Sequence, residues 1–197
     1  MTPEIQQVQD LSEQEQIRRA KLAKYCEEGR DPYTITRFDR THTSAEVLSN
    51  FDALEGKTVR IAGRMMSRRI MGKASFIELK DSKGRIQVYI SRDDLCPGED
   101  KELYNTVFKK LLDIGDFIGI KGFVFRTQMG EITIHAQELT VLAKSLRPLP
   151  IVKVKDGVVY DAFEDPELRY RQRYVDLVVN EGVKEIFIKR NRVYNSM

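Results

Sequence analysis

The chain has 197 residues, 41% of them hydrophobic and 32% charged, with a net charge of only +3. That length supports one packed domain plus extensions. No apolar run approaches the roughly 18 residues a membrane span requires, and the start MTPEIQQVQD lacks the basic and apolar regions of a secretory signal. Cys26 and Cys96 show no metal-ligand spacing and read as free thiols of a reduced compartment, which points to the cytoplasm.

Residues 1–10 carry no periodic pattern. Ser12-Glu13-Gln14-Glu15 matches a capping box, with Ser12 as N-cap and Glu15 reaching back. The helix it opens runs through Ile17, Ala20, Leu22 and Tyr25, with Gly29 placed at its C′ position and Pro32 beyond. A second capping box, Thr43 with Glu46, opens a short helix over 44–50.

From Thr58 the hydrophobic period changes to two. Val59, Ile61, Gly63 and Met65 share one face of the first strand, Ile77 and Leu79 of the second, and Ile86, Val88 and Ile90 of the third. Asp81-Ser82-Lys83-Gly84 is a hairpin turn between the second and third. Glu102–Leu112 has Leu103, Val107, Leu111 and Leu112 at helical spacing. Two more strands follow, Asp116–Phe125 and Glu131–Leu142, joined by a turn at Met129-Gly130. Five short strands with one helix between the third and fourth describe a mainly β, five-stranded OB-fold barrel.

After Lys144 the alternation stops. Ser145-Leu146-Arg147-Pro148-Leu149-Pro150 is an extended linker, because a residue preceding proline is kept out of the helical region. The stretches 166–178 and 182–197 are helical in pattern, and the second reaches Met197 without a cap. The chain divides on this reading into a helical extension (1–55), a barrel (56–145) and a linker with the start of another domain (146–197).

Alternation also sets side-chain direction. With Ile77, Leu79, Ile86, Val88 and Ile90 inward, Phe76, Arg85, Gln87 and Tyr89 point outward. The turn at 81–84 pairs Phe76 with Tyr89 and Glu78 with Gln87. Nine Lys/Arg lie between Arg60 and Arg92, opposed only by Glu78 and Asp81. Such a stretch attracts a polyanion, or is simply a solvated basic face. A ring offers a stacking platform worth about 1–3 kcal/mol per base. An amide can read a pyrimidine's Watson–Crick edge, and a guanidinium can stack or hold phosphate. A single-stranded nucleic-acid surface fits these residues. So does a plain reading in which the N-terminal helix covers Phe76 and Gln87 is an ordinary surface amide. No carboxylate pair, nucleophile elbow or glycine-rich phosphate loop occurs.

The stretch GRMMSRRIMGKASFIELKDSKGRIQVYISRDD (63–94) resembles the first barrel strands of class II lysyl-tRNA synthetases of bacterial type. SLRPLP (145–150) with ELRYRQRYVDL (167–177) is similar to that family's linker into the catalytic domain. The resemblance spans roughly residues 10–197. It implies an aromatic that stacks on an anticodon base (Phe76), a glutamine that hydrogen-bonds the central uridine (Gln87), and an arginine and a glutamate that complete the pocket (Arg69 and Glu131). Alternation agrees for Phe76 and Gln87, agrees in direction alone for Glu131, and is silent on Arg69, because a bulge near Ser67 would reverse its facing. The family activity is ATP-dependent lysylation of tRNA(Lys), with magnesium, by a homodimer. The beginning of motif 1 is present at 183–197 and motifs 2 and 3 are absent. The expectation is therefore a chain that binds the anticodon loop, needs no cofactor, and lacks catalysis by itself. The competing expectations are a general single-strand-binding OB module, the anticodon domain of an aspartyl- or asparaginyl-tRNA synthetase, and a protein- or saccharide-binding barrel.

Overall fold

The two-residue period closes five strands into a barrel: β1 (Thr58–Met71), β2 (Ala74–Lys80), β3 (Arg85–Ser91), β4 (Phe117–Arg126) and β5 (Ile132–Ala143). The computed structural model describes residues 12–150, 153–155, 158–160, 163–180 and 182–197. Residues 1–10, without periodic pattern in the sequence, lie outside them. Strand order is β1-β2-β3-β5-β4, with β4 returning to β1. Every pairing is antiparallel except β3 with β5. Closure removes the exposed edges that an open five-stranded sheet would present. Val59, Ile61, Met65, Ile77, Leu79, Ile86, Val88, Ile90, Ile118, Ile120, Val124 and Ile134 fill the interior. Each such side chain stabilises the fold by roughly 1.5–3 kcal/mol.

The β2–β3 hairpin has the register expected from its turn, with Phe76 opposite Tyr89 and Glu78 opposite Gln87. Asp81 accepts from the Lys83 and Gly84 amides, and also from the amide and hydroxyl of Ser44. Ser44 begins the short helix Ser44–Ser49, whose capping box, Thr43 with Glu46, is present. One carboxylate thus ties the turn to the helix before the barrel. β1 is longer than alternation alone indicated, and its register shifts between Met65 and Ser67. In β4 the register shifts at Lys121/Gly122, where a Cβ on Gly122 would collide with the His135 carbonyl.

The segment between β3 and β4 winds differently from the expected α-helix. A short helix, Arg92–Leu95, comes first, and Leu103–Leu111 is then a π-helix, in which Leu112 N–H reaches back five residues to the Val107 carbonyl at 3.0 Å. Tyr104, Val107, Phe108 and Leu111 are buried, while Leu103 is only half-buried. The Tyr104 and Phe108 rings stack at 5.4 Å. The Tyr104 hydroxyl lies 2.9 Å from the buried Ser75 hydroxyl and 3.1 Å from the Gly72 carbonyl, so the ring is hydrogen-bonded as well as packed.

Helix α1 (Glu13–Glu27) starts at the Ser12 capping box and ends in Gly29 at φ 71°. Gly29 N–H bonds the Cys26 carbonyl and Arg30 N–H the Tyr25 carbonyl, the Schellman pattern. The helix docks through charge. Buried Arg18 donates to the carbonyls of Ile114 (3.2 Å) and Ser145 (2.6 Å), and Lys21 pairs with Asp113 at 2.5 Å. Beneath them Lys144, at 2% side-chain exposure, donates to Asp113, to fully buried Asp116 and to the Leu111 carbonyl. Asp116 also accepts from the amides of Asp113 and Ser145.

The chain separates into two compact units, Met1–Pro148 and Leu149–Met197. The second contains a hairpin of Lys153–Lys155 with Val158–Tyr160, then helices Pro166–Arg171, Arg173–Val179 and Val183–Ser196. Asp165 caps the first helix by accepting from Leu168 N–H, and buried Asp176 gathers Arg169, Arg173 and Asn180.

Asp116→Ala leaves Lys144 buried without its main partner and is expected to lower unfolding free energy by about 3–5 kcal/mol, read by urea denaturation. Burial disfavours charge on Asp113, but Lys21 and Lys144 overrule it and hold its carboxyl below the usual range. A depressed folded value gives stability that is full above about pH 4 and lost as pH falls through that value. Urea midpoints should therefore fall on acidification, and less steeply in Asp113→Asn.

Candidate nucleic-acid interface

Cross-strand register lays two rows of side chains across the outer face. One row reads Arg69, Phe76, Tyr89, His135, Phe123 through successive neighbours on β1, β2, β3, β5 and β4. The other reads Ser67, Glu78, Gln87, Thr133, Phe125 on the same strands. The first row is aromatic and basic at one end. The second is polar until its last member.

A cavity of about 510 Å³ opens between the two rows near β1, and Arg69, Phe76, Gln87 and Glu131 all line it. The four residues singled out in the sequence are thus brought together. Phe76 and Gln87 are half-buried and face outward, as alternation required; Arg69 and Glu131 are exposed. No residue of α1 lines this cavity, so the helix does not take the place expected of it in the plain reading of Phe76. The bulge at Met66 decides Arg69. Strict alternation from inward Met65 would turn position 69 inward; the inserted residue reverses parity, so Arg69 stands opposite Phe76, with its guanidinium carbon 5.9 Å from the ring centroid. Arg68 turns the other way and donates to the carbonyls of Phe108 and Leu112. Glu131 lies one residue before β5, fixed by two turn bonds: its N–H donates to the Thr127 hydroxyl and its carbonyl accepts from Thr127 N–H.

Gln87 is oriented rather than free to rotate. The fully buried Thr133 hydroxyl donates to its Oε1 at 2.9 Å. In this arrangement the oxygen end of the amide lies toward the sheet and the NH₂ end, with its two donors, toward the cavity, while the Thr133 hydroxyl also lies 3.3 Å from the Glu131 carbonyl. Phe76 is braced by Tyr89, with centroids 5.1 Å apart and planes tilted by 56°. Arg85 pairs with Glu78 at 2.8 Å on the cavity wall. This pair is partly exposed, so it contributes under about 1 kcal/mol.

Thr133, Met129, Thr127 and His135 were not singled out by sequence reasoning. Thr133 and His135 reach this face only through the parallel β3–β5 pairing, which leaves no local signal. Met129, 95% exposed at the β4–β5 turn, could have been noticed as an apolar side chain in a polar turn. Among the described residues there is no group of three or more His, Cys, Asp or Glu that could hold a metal ion, and no helix long and apolar enough to cross a membrane.

The closed five-stranded barrel is an OB-fold, and residues 59–142 match a family model of tRNA anticodon type described as an OB-fold nucleic acid binding domain. Over nearly its whole length the chain is similar to lysine–tRNA ligases. It is 62% identical to that of Porphyromonas gingivalis over 95% of the chain, 61% to that of Azobacteroides pseudotrichonymphae over 95%, and 46% to that of Clostridium novyi over 91%. The chain spans about a third of the length of these relatives: 33%, 38% and 33%.

Thr133→Val is expected to leave thermal unfolding close to that of the parent and to lower the NMR order parameter of the Gln87 side-chain amide. An unchanged order parameter would mean that the hydroxyl does not orient it.

Proposed function

We propose that the chain is the anticodon-reading part of a lysine–tRNA ligase, and that the cavity lined by Arg69, Phe76, Gln87 and Glu131 takes the central uridine of the tRNA(Lys) anticodon. The observation that carries this reading is the Thr133–Gln87 bond beside the Phe76 ring. Uracil presents an N3–H donor between two carbonyl acceptors. The inward NH₂ of Gln87 donates to a carbonyl, the Glu131 carboxylate accepts N3–H, and Phe76 stacks on the flat face. Arg69 supplies a donor to the base or its phosphate. Cytosine turns a lone pair toward Glu131 and an amino group toward the Gln87 donors, so it loses hydrogen bonds and leaves polar groups unpaired.

The relatives are named lysine–tRNA ligases, and we propose that the whole protein to which this chain belongs joins lysine to tRNA(Lys) at the cost of ATP, with magnesium, as a homodimer in the cytoplasm. The residues described here contribute recognition: they hold the anticodon loop so that the acceptor end is presented elsewhere. The charge balance of the cavity suits that task, because Arg69 and Arg85 line it together with Glu78 and Glu131. Mixed charge favours reading a base edge over clamping phosphate alone.

The test is titration of the chain with RNA hairpins bearing a uridine-rich anticodon. A central uridine-to-cytidine change is expected to weaken binding by about 1–3 kcal/mol. Gln87→Ala should abolish most of that difference, and Phe76→Ala should weaken every hairpin by about 1–3 kcal/mol. Equal affinity for hairpins with and without the central uridine, together with tight binding of arbitrary DNA oligomers, would instead identify a general single-strand-binding module.

A further inference from the structure

β5 ends at Ala143, and the first compact unit ends at Pro148. The residues between belong to no strand or helix, and a connecting segment of this kind is expected to be solvated and mobile. Instead its first residues are gripped. Ser145 N–H donates to Asp116 at 2.7 Å, and the Ser145 carbonyl accepts from Arg18 at 2.6 Å. The Tyr33 hydroxyl lies 3.5 Å from the Lys144 carbonyl. Arg147 pairs with Glu15 at 3.2 Å, and its carbonyl accepts from the Ser145 hydroxyl. Glu15 and Arg18 both come from α1, and Lys21 of the same helix pairs with Asp113. Positions 15, 18 and 21 are three apart in turn, so they form one stripe along the helix. Arg18 is its centre. The residue is buried, and Nη1 bridges the Ile114 carbonyl, before β4, and the Ser145 carbonyl, after β5.

We propose that α1 is a latch on the linker: docked, its Glu15–Arg18–Lys21 stripe fixes where the chain departs from the barrel, and undocked it lets that departure point swing. The chemistry of the attachment suits a latch. Arg18 and Tyr25 are the buried residues of α1, whereas the barrel interior is lined by aliphatic side chains. A helix held by charge re-solvates its ions when it lifts, so it opens more readily than a core that must expose apolar surface. The barrel keeps its own grip on the chain when α1 is gone. Lys144 remains on Asp113, Asp116 and the Leu111 carbonyl, and Ser145 N–H remains on Asp116. The contacts that depend on α1 are those of Arg18 with the Ser145 carbonyl and of Glu15 with Arg147. The chain freed is therefore Leu146 to Pro148. At about 3.5 Å per residue, release adds up to about 10 Å of slack to whatever follows Pro148. No residue of α1 lines the Gln87 cavity, so the latch works on the tether and leaves the nucleic-acid face as it is. The device is independent of what that cavity binds.

The experiment is backbone ¹⁵N relaxation on the full chain, with Val88 and Ile120 of the barrel core as internal references. In the parent, the order parameters of Leu146 and Arg147 are expected to stand near the rigid value of about 0.85. In Arg18→Met, which keeps the apolar stem and removes the donors, they should fall below about 0.6 while Val88 and Ile120 keep theirs. Lys21→Ala is the decisive variant. Lys21 pairs with Asp113 and not with the linker, so a fall at Leu146 and Arg147 in that variant reports the helix letting go, which a local role of Arg18 would not produce. Glu15→Gln retains an acceptor for the capping box and removes the charge pair with Arg147, and its effect should be confined to Arg147. The proposal is overturned if Leu146 and Arg147 stay rigid in Arg18→Met or in Lys21→Ala. It is equally overturned if Val88 and Ile120 loosen in step with them or if Arg18→Met unfolds the barrel, since α1 would then be part of the core.

Discussion

Three residue pairs, Gln87 with Thr133, Val88 with Ile134 and Tyr89 with His135, join β3 to β5 in parallel and close the barrel. The middle pair is buried in the core and the flanking pairs stand on the outer face. The same short ladder therefore does two things. It seals the apolar interior, and it delivers the Thr133 hydroxyl to Gln87 and the His135 ring to Tyr89. A slip of one residue in this pairing would turn Ile134 to water and carry both contacts away. Site geometry and core burial are thus enforced together by one register.

Stability and recognition otherwise occupy separate parts of the first unit. The ionic cluster of Lys144, Asp113, Asp116, Lys21 and Arg18 joins α1, the end of the π-helix and the start of β4. Lys144, Asp116 and Arg18 are buried, Lys21 and Asp113 partly so, and the two lysines pair with the two aspartates, so removing one partner leaves a costly uncompensated charge. The outward rows from Arg69 to Phe123 and from Ser67 to Phe125 have the reverse character. Their rings and amides are half-open to solvent and supported from one side, the state expected of groups that complete their contacts on a ligand. The Asp81 carboxylate pins the turn between β2 and β3 to the helix that begins at Ser44.

Much of the barrel was legible in the sequence because its signals are local. The capping boxes at Ser12 and Thr43, the hairpin turn at Asp81 and the alternation of Ile77, Leu79, Ile86 and Val88 each depend on residues a few positions apart. Phe76 and Gln87 could be turned outward on that basis. Arg69 could not, because a single extra residue at Met66 reverses parity and nothing in MMSRR marks it. The π-helix escaped for a related reason. Leu103, Val107 and Leu111 satisfy an α-helical period, whereas the wider winding goes with contacts distant in sequence, the Tyr104 hydroxyl bonding Ser75 and Gly72 while its ring stacks on Phe108.

The amino-acid order alone settled which residues face water and which face the core along β2 and β3, where the alternation is uninterrupted. It also settled the hairpin pairing of β2 with β3, because a four-residue turn leaves one register open. Tertiary structure decided which strands became neighbours, and therefore that Thr133 would orient Gln87, that His135 would extend the row of Phe76 and Tyr89, and that Met129 would line the cavity at Gln87. Those contacts join residues some 46 positions apart. No local preference encodes such a pairing; it forms because closing the barrel is the arrangement that buries all five apolar faces at once.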